Sequence, residues 1–94
     1  MSHVDHLELS LPELATGEAA EIVGLRDAGL EIGGELHATL AQRLLELGFV
    51  PGEKLTVVGR IWPGGDPLAV QLGRSRFALR RREAEAVRVR RLGS

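Results

Sequence analysis

Ninety-four residues, 44% of them apolar, make one small globular domain, too short for scaffolds such as the roughly 250-residue (β/α)₈ barrel. With no cysteine, no apolar run near about 18 residues and no basic stretch before Leu11, the sequence excludes a disulfide framework, a spanning helix and a secretory leader; a reducing cytoplasm is expected. The net charge of −1 hides a split: residues 1–53 carry ten acids against Arg26 and Arg43, and residues 54–94 carry ten bases against Asp66, Glu83 and Glu85.

In chain order, Pro12 is placed to open a short helical turn. After a turn at Thr16-Gly17-Glu18, Ala20–Leu25 reads as a strand in which Gly24 marks a bulge or a close backbone approach. Asp27–Gly34 is a glycine-rich connection. A helix follows over about residues 36–47, with Leu36, Leu40, Leu44 and Leu47 on one face. Gly48 is placed for a left-handed cap, Phe49 for the apolar contact of a Schellman turn, and Pro51 stops the helix.

The second half reads as β throughout. Lys54–Ile61 alternates, Trp62–Pro67 is a dense turn, and Leu68–Leu72 alternates again. Gly73-Arg74-Ser75 turns into a strand at Arg76–Leu79. Arg82–Glu85 favours a short helix, and Val87–Arg90 closes the pattern. Five short strands and one inserted helix make a mostly β chain, best closed as a small barrel that hides its sheet edges.

No phosphate loop, nucleophile elbow or Cys-His pair is present, so no enzyme is expected. His3 and His6, and Glu35 with His37, are the candidate metal ligands. They are too few to converge as a built site, so no cofactor is required and a divalent ion such as zinc would bind them adventitiously. Phe49, Trp62 and Phe77 are the only aromatic residues, fewer than a stacking surface for single-stranded nucleic acid needs. The acidic and basic halves are expected to pair internally, leaving positive surface at Arg80-Arg81-Arg82. Trp62 fits two roles equally, a plug at the barrel end or an interface anchor.

Leu44-Leu45-Glu46-Leu47-Gly48-Phe49-Val50-Pro51-Gly52 resembles the helix-end signature of the FeoA (ferrous iron transport protein A) family. Gly65-Asp66-Pro67-Leu68 resembles its Gly-Asp-Pro turn, and Ala78–Ala84 with Val87-Arg88-Val89 resembles its closing segment. The match runs in order over about residues 7–91. Gly64 departs from it, standing where the family often has a bulky aliphatic residue.

The resemblance implies a five-stranded SH3-like barrel, residues 1–94 forming one domain with flexible ends at 1–6 and 92–94. It further implies a cytoplasmic accessory role beside the ferrous-iron permease, a membrane protein with a GTP-binding domain. The expected contact surface comprises Leu45, Phe49, Val50, Trp62, Asp66, Arg80, Arg81 and Arg82. Contact with the membrane would then come only through that partner, and a homodimer is compatible. A second family, the SH3-like domain of iron-dependent repressors, shares the barrel. It gives the alternative reading of a nucleic-acid-associated or repressor-like module, although those domains follow a DNA-binding domain for which this chain has no counterpart.

Overall fold

Leu68, Val70 and Leu72 stand two residues apart, the spacing that turns alternate side chains to one face of a strand. In the computed structural model, which describes residues 7–26, 34–60 and 66–92 (34–39 by backbone alone), these three are buried while Ala69 and Gln71 are half-buried. The strands are β1 (Leu9–Ser10), β2 (Ala19–Leu25), β3 (Lys54–Arg60), β4 (Leu68–Leu72), β5 (Ser75–Leu79) and β6 (Val87–Arg91). They form one antiparallel sheet in the order β1-β6-β2-β3-β4-β5. The described residues also form two helices, α1 (Gly34–Leu47) and α2 (Arg81–Ala86), with a 3-10 turn at Leu11–Glu13 that contains Pro12.

The sheet has six strands where five were expected, because Leu9–Ser10 is too short to show alternation. It is fixed by pairing alone, Leu9 with Val89 and Ser10 with Arg88. The bulge expected at Gly24 is present as a register shift between Ile22 and Gly24, and a second lies between Val57 and Gly59. Such shifts bend and twist a strand, which curls this sheet toward a barrel. The two edge strands, β1 and β5, are not paired with each other. Instead α2 packs against the 3-10 turn, β1, β6 and β5.

The core gathers Leu11, Leu14, Ile22, Leu55, Val57, Val70, Val87 and Val89 from the sheet and turn, with Leu44 and Phe49 from the helix end. Gly48 has φ +111°. Its N–H donates to the Leu45 carbonyl at 3.0 Å, and the Phe49 N–H donates to the Leu44 carbonyl at 3.0 Å. Those two bonds are the Schellman pattern, and the left-handed residue it requires costs glycine least. Gly48→Ala places a Cβ 3.3 Å from Leu72 Cδ2 in a strained backbone. The expected result is a loss of about 1–2 kcal/mol, readable as a lower urea midpoint with an unchanged slope.

The cap also alters the expected helix stripe. Leu40 is half-buried and Leu44 buried, but Leu47 is 42% exposed. Phe49, folded back under the helix end, fills the core at that level with an aromatic ring set edge-on to Phe77 at 5.3 Å between centroids. Phe49 is therefore fully buried, which corrects its place in the expected contact surface: its ring supports the barrel and is not presented to a partner.

Pairing between the two charge halves is visible along β6. Arg90 meets Glu21 at 3.1 Å as a directly opposed cross-strand pair, Arg91 meets Glu18 at 2.7 Å, and Arg88 meets Glu8 at 3.4 Å. Glu18 also accepts the Ala15 N–H at 2.8 Å. That backbone bond first, and then Arg91, hold its carboxyl below the usual value of 4.5. A carboxylate whose folded pKa is depressed stabilises the fold above its unfolded pKa, and that contribution is lost as pH falls through the folded value. Glu18 is thus expected to titrate with a midpoint below 4.5 by NMR. Glu18→Gln should then flatten the acid arm of the stability curve.

The Asp27–Gly34 connection, apart from the first helical residue Gly34, lies outside the described residues, as do Trp62, His3, His6 and, apart from Leu92, the expected flexible ends at 1–6 and 92–94. Glu35 and His37 stand in the first turn of α1, with side chains outside that description.

Candidate functional site

Two corners of the barrel are brought together by strand register. In the β4–β5 ladder Leu68 pairs with Leu79. Continuing that antiparallel register two residues outward sets Asp66 opposite Arg81. Asp66 and the arginine run, fifteen residues apart in sequence, therefore meet at one end of the sheet. Asp66 is followed by a cis peptide to Pro67, and its Oδ1 accepts the backbone N–H of Arg81 at 3.0 Å. Arg81 is the first residue of α2, where an N–H has no partner within the helix and an acid is favoured by the helix dipole.

The next N–H upstream is met locally. Glu83 Oε1 accepts the N–H of Arg80 at 2.9 Å, one arm of a capping box. The same carboxylate group lies 3.9 Å from Arg43 Nη1 on α1. Glu83 is thus committed to the cap and to α1. Arg80, Arg81 and Arg82 are exposed, and none has an acidic partner within salt-bridge distance among the described residues. Backbone atoms anchor this corner while its guanidinium groups stay available.

Beside it opens a cleft of about 240 Å³, lined by Pro12, Arg60, Asp66, Leu68, Arg81 and Glu85 among others. Arg60 forms its floor on the side of the 3-10 turn. Its Nη2 donates to the Pro12 carbonyl at 3.2 Å and also to the Leu14 carbonyl. The lining holds guanidinium and carboxylate groups with apolar walls and no hydroxyl, thiol or imidazole. It can hold charged side chains of another molecule.

The remaining expected residues do not all converge here. Leu45 is 44% exposed on α1 and Val50 is half-buried after the cap. Around the helix, Leu47 falls on the same side as Arg43, hence toward α2, whereas Leu45 falls on the other side. Leu47, read from the sequence as a core residue, is the exposed leucine nearer the arginine corner. Arg60 was also not legible as a site residue, because its partners are carbonyls of a distant turn and leave no local signal. Among the described residues there is no group of three or more His, Cys, Asp or Glu side chains able to hold a metal, and no helix long and apolar enough to cross a membrane.

Comparison with known proteins covers this whole arrangement. The family model described as the FeoA domain matches residues 9–91. The crystal structure of Stenotrophomonas maltophilia FeoA complexed with zinc, described there as a prokaryotic SH3 domain protein, is 40% identical with a TM-score of 0.70, over 86% of this chain and 88% of that one. The solution structure of the Chlorobium tepidum FeoA protein is 33% identical with a TM-score of 0.71, over 90% of this chain and 71% of that one. A manganese-dependent transcriptional repressor shares the fold alone, at 16% identity and a TM-score of 0.73 over 90% of this chain and 42% of that one. Among curated proteins none matches. The barrel, its capped helix and the Asp66–Arg81 corner all fall within the matched span, and the chain belongs to the FeoA family.

Proposed function

We propose that this protein is a non-enzymatic accessory factor of bacterial ferrous-iron uptake, acting in the cytoplasm by direct contact with the GTP-binding part of the ferrous-iron permease. The observation that carries the proposal is the arginine corner of a FeoA-family barrel. Arg80, Arg81 and Arg82 are exposed without acidic partners among the described residues, on a helix start pinned by Asp66 and Glu83. Val50 and Trp62 belong to the proposed contact, joined by Leu47 in place of Leu45, which falls on the other side of α1. Charge complementarity of this kind governs the rate and selectivity of association.

Iron is cargo of the transport system in this reading and needs no ligand on this chain. Zinc or another divalent ion at His3, His6, Glu35 or His37 would be adventitious. The test is a binding titration with the permease's soluble GTP-binding domain and with the intact permease. Binding to either supports the contact, and binding to neither overturns it. A nucleic-acid-associated module would instead bind DNA or RNA with an affinity falling steeply with salt.

A further inference from the structure

The sheet ends on one side in β5, and the edge of β5 has a defined polarity. Gly73 and Arg74 form a two-residue turn between Leu72 and Ser75, which pair across the hairpin. The pair closing such a turn exchanges both hydrogen bonds, and antiparallel ladders alternate from there. Val70–Phe77 and Leu68–Leu79 are then the remaining bonded pairs. Arg76 and Ala78 direct their N–H and C=O groups away from β4. Among the described residues, neither has a backbone partner on that side. Both residues are exposed, while Phe77 and Leu79 turn toward the core. The opposite edge, β1, is only two residues long.

Charge selects what this edge can take. Arg74, Arg76 and Arg80 are all exposed and two or four residues apart. Arg76 stands on β5, with Arg74 in the turn before it and Arg80 directly after its last residue. Among the described residues Arg76 donates only to the neutral amide of Gln71, at 2.8 Å. A second copy of the chain would pair β5 with β5 antiparallel about a two-fold axis. Opposing Arg76 to Arg76 sets like charges together directly. Opposing Arg76 to Ala78 sets Arg74 against Arg80, and opposing Ala78 to Ala78 sets Arg76 against Arg80. Each of these registers brings arginines of the two copies together on or beside the ladder, where like charges are destabilising.

We propose that the free edge of β5 binds an extended acidic segment of a partner protein, added to the sheet as a further antiparallel strand with acids at alternate positions. Backbone groups of Arg76 and Ala78 supply the hydrogen bonds, and cross-strand pairing with Arg76, helped by Arg74 and Arg80 at the two ends of the strand, selects the acids. Ala78 presents little bulk and admits the guest backbone. The arginines that keep two copies apart are the ones that recognise this guest.

The experiment needs no permease, so its outcome is independent of the function proposed above. A short capped peptide with glutamate at every second position, and valine and threonine between, is titrated into the intact protein and followed by amide NMR. The expected result is binding with the largest shifts at Arg76 and Ala78. It should weaken at least tenfold with Arg76→Glu, and with a peptide N-methylated at its glutamates, whose N–H groups face β5. N-methylation at the intervening positions should have little effect. Loss on glutamate N-methylation leaves the protein untouched, so a folding defect cannot imitate it. The proposal is overturned by an absence of binding, by shifts centred elsewhere, or by binding indifferent to N-methylation. Concentration-dependent shifts of the same amides without peptide would assign the edge to a second copy and overturn it as well.

Discussion

Phe49→Ala is expected to be the most damaging single substitution among the residues of the helix-end motif. The ring is fully buried between the α1 cap and the sheet, edge-on to Phe77 at 5.3 Å. Removing a buried Phe costs about 3–5 kcal/mol through lost transfer energy and the cavity left behind. A domain of this size has a total stability of roughly 5–15 kcal/mol, so the variant should lose a large fraction of it and unfold at a much lower urea midpoint. The measurement is a pair of urea titrations, Phe49→Ala beside Leu45→Ala. Leu45 is 44% exposed and its truncation should stay within about 0.5 kcal/mol of the parent. Equal losses in the two variants would contradict the burial assigned to Phe49.

The second large effect belongs to binding rather than stability. If the proposed contact holds, Arg81→Glu should weaken association with the permease's GTP-binding domain by about tenfold to a hundredfold, since a like charge at an interface costs on the order of 1–3 kcal/mol. The fold should hardly change, because what anchors Arg81 is its backbone N–H on Asp66, and glutamate keeps that donor. Asp66→Ala gives the opposite balance. It leaves the Arg81 N–H without its acceptor and should cost about 1 kcal/mol of stability. If Arg81→Glu bound the domain as tightly as the parent, the arginine corner would not be the contact.

Most strands were legible because burial repeats every second residue. Leu68–Leu72 alternates so cleanly that periodicity alone gives its ends. The helix cap was legible for another reason: Gly48, Phe49 and Pro51 each have a local conformational preference that agrees with the others. β1 was illegible because two residues carry no period, and its existence depends on β6 arriving beside it. Leu47 was misread because a helical stripe shows which leucines share a face, while the length of that face actually covered depends on what lies beneath it. Here Phe49 lies there.

The charge split had the same double character. From sequence, ten acids in one half and ten bases in the other could be read as internal neutralisation or as surface for an anionic partner. The β2–β6 register decided part of it by setting Glu21 opposite Arg90, with Glu18 beside Arg91. What remained at Arg80–Arg82 became a surface only because Glu83 is taken up by the cap and by Arg43.

By itself the sequence determined the mostly β, cysteine-free domain, the capped helix and the family resemblance, since composition, period and local backbone preference act over a few residues. Tertiary structure alone decided which arginines are paired, that Asp66 meets Arg81, and that Phe49 belongs to the core. Those facts depend on register between strands and on competition for the same buried space, and neither is written in any local stretch of the chain.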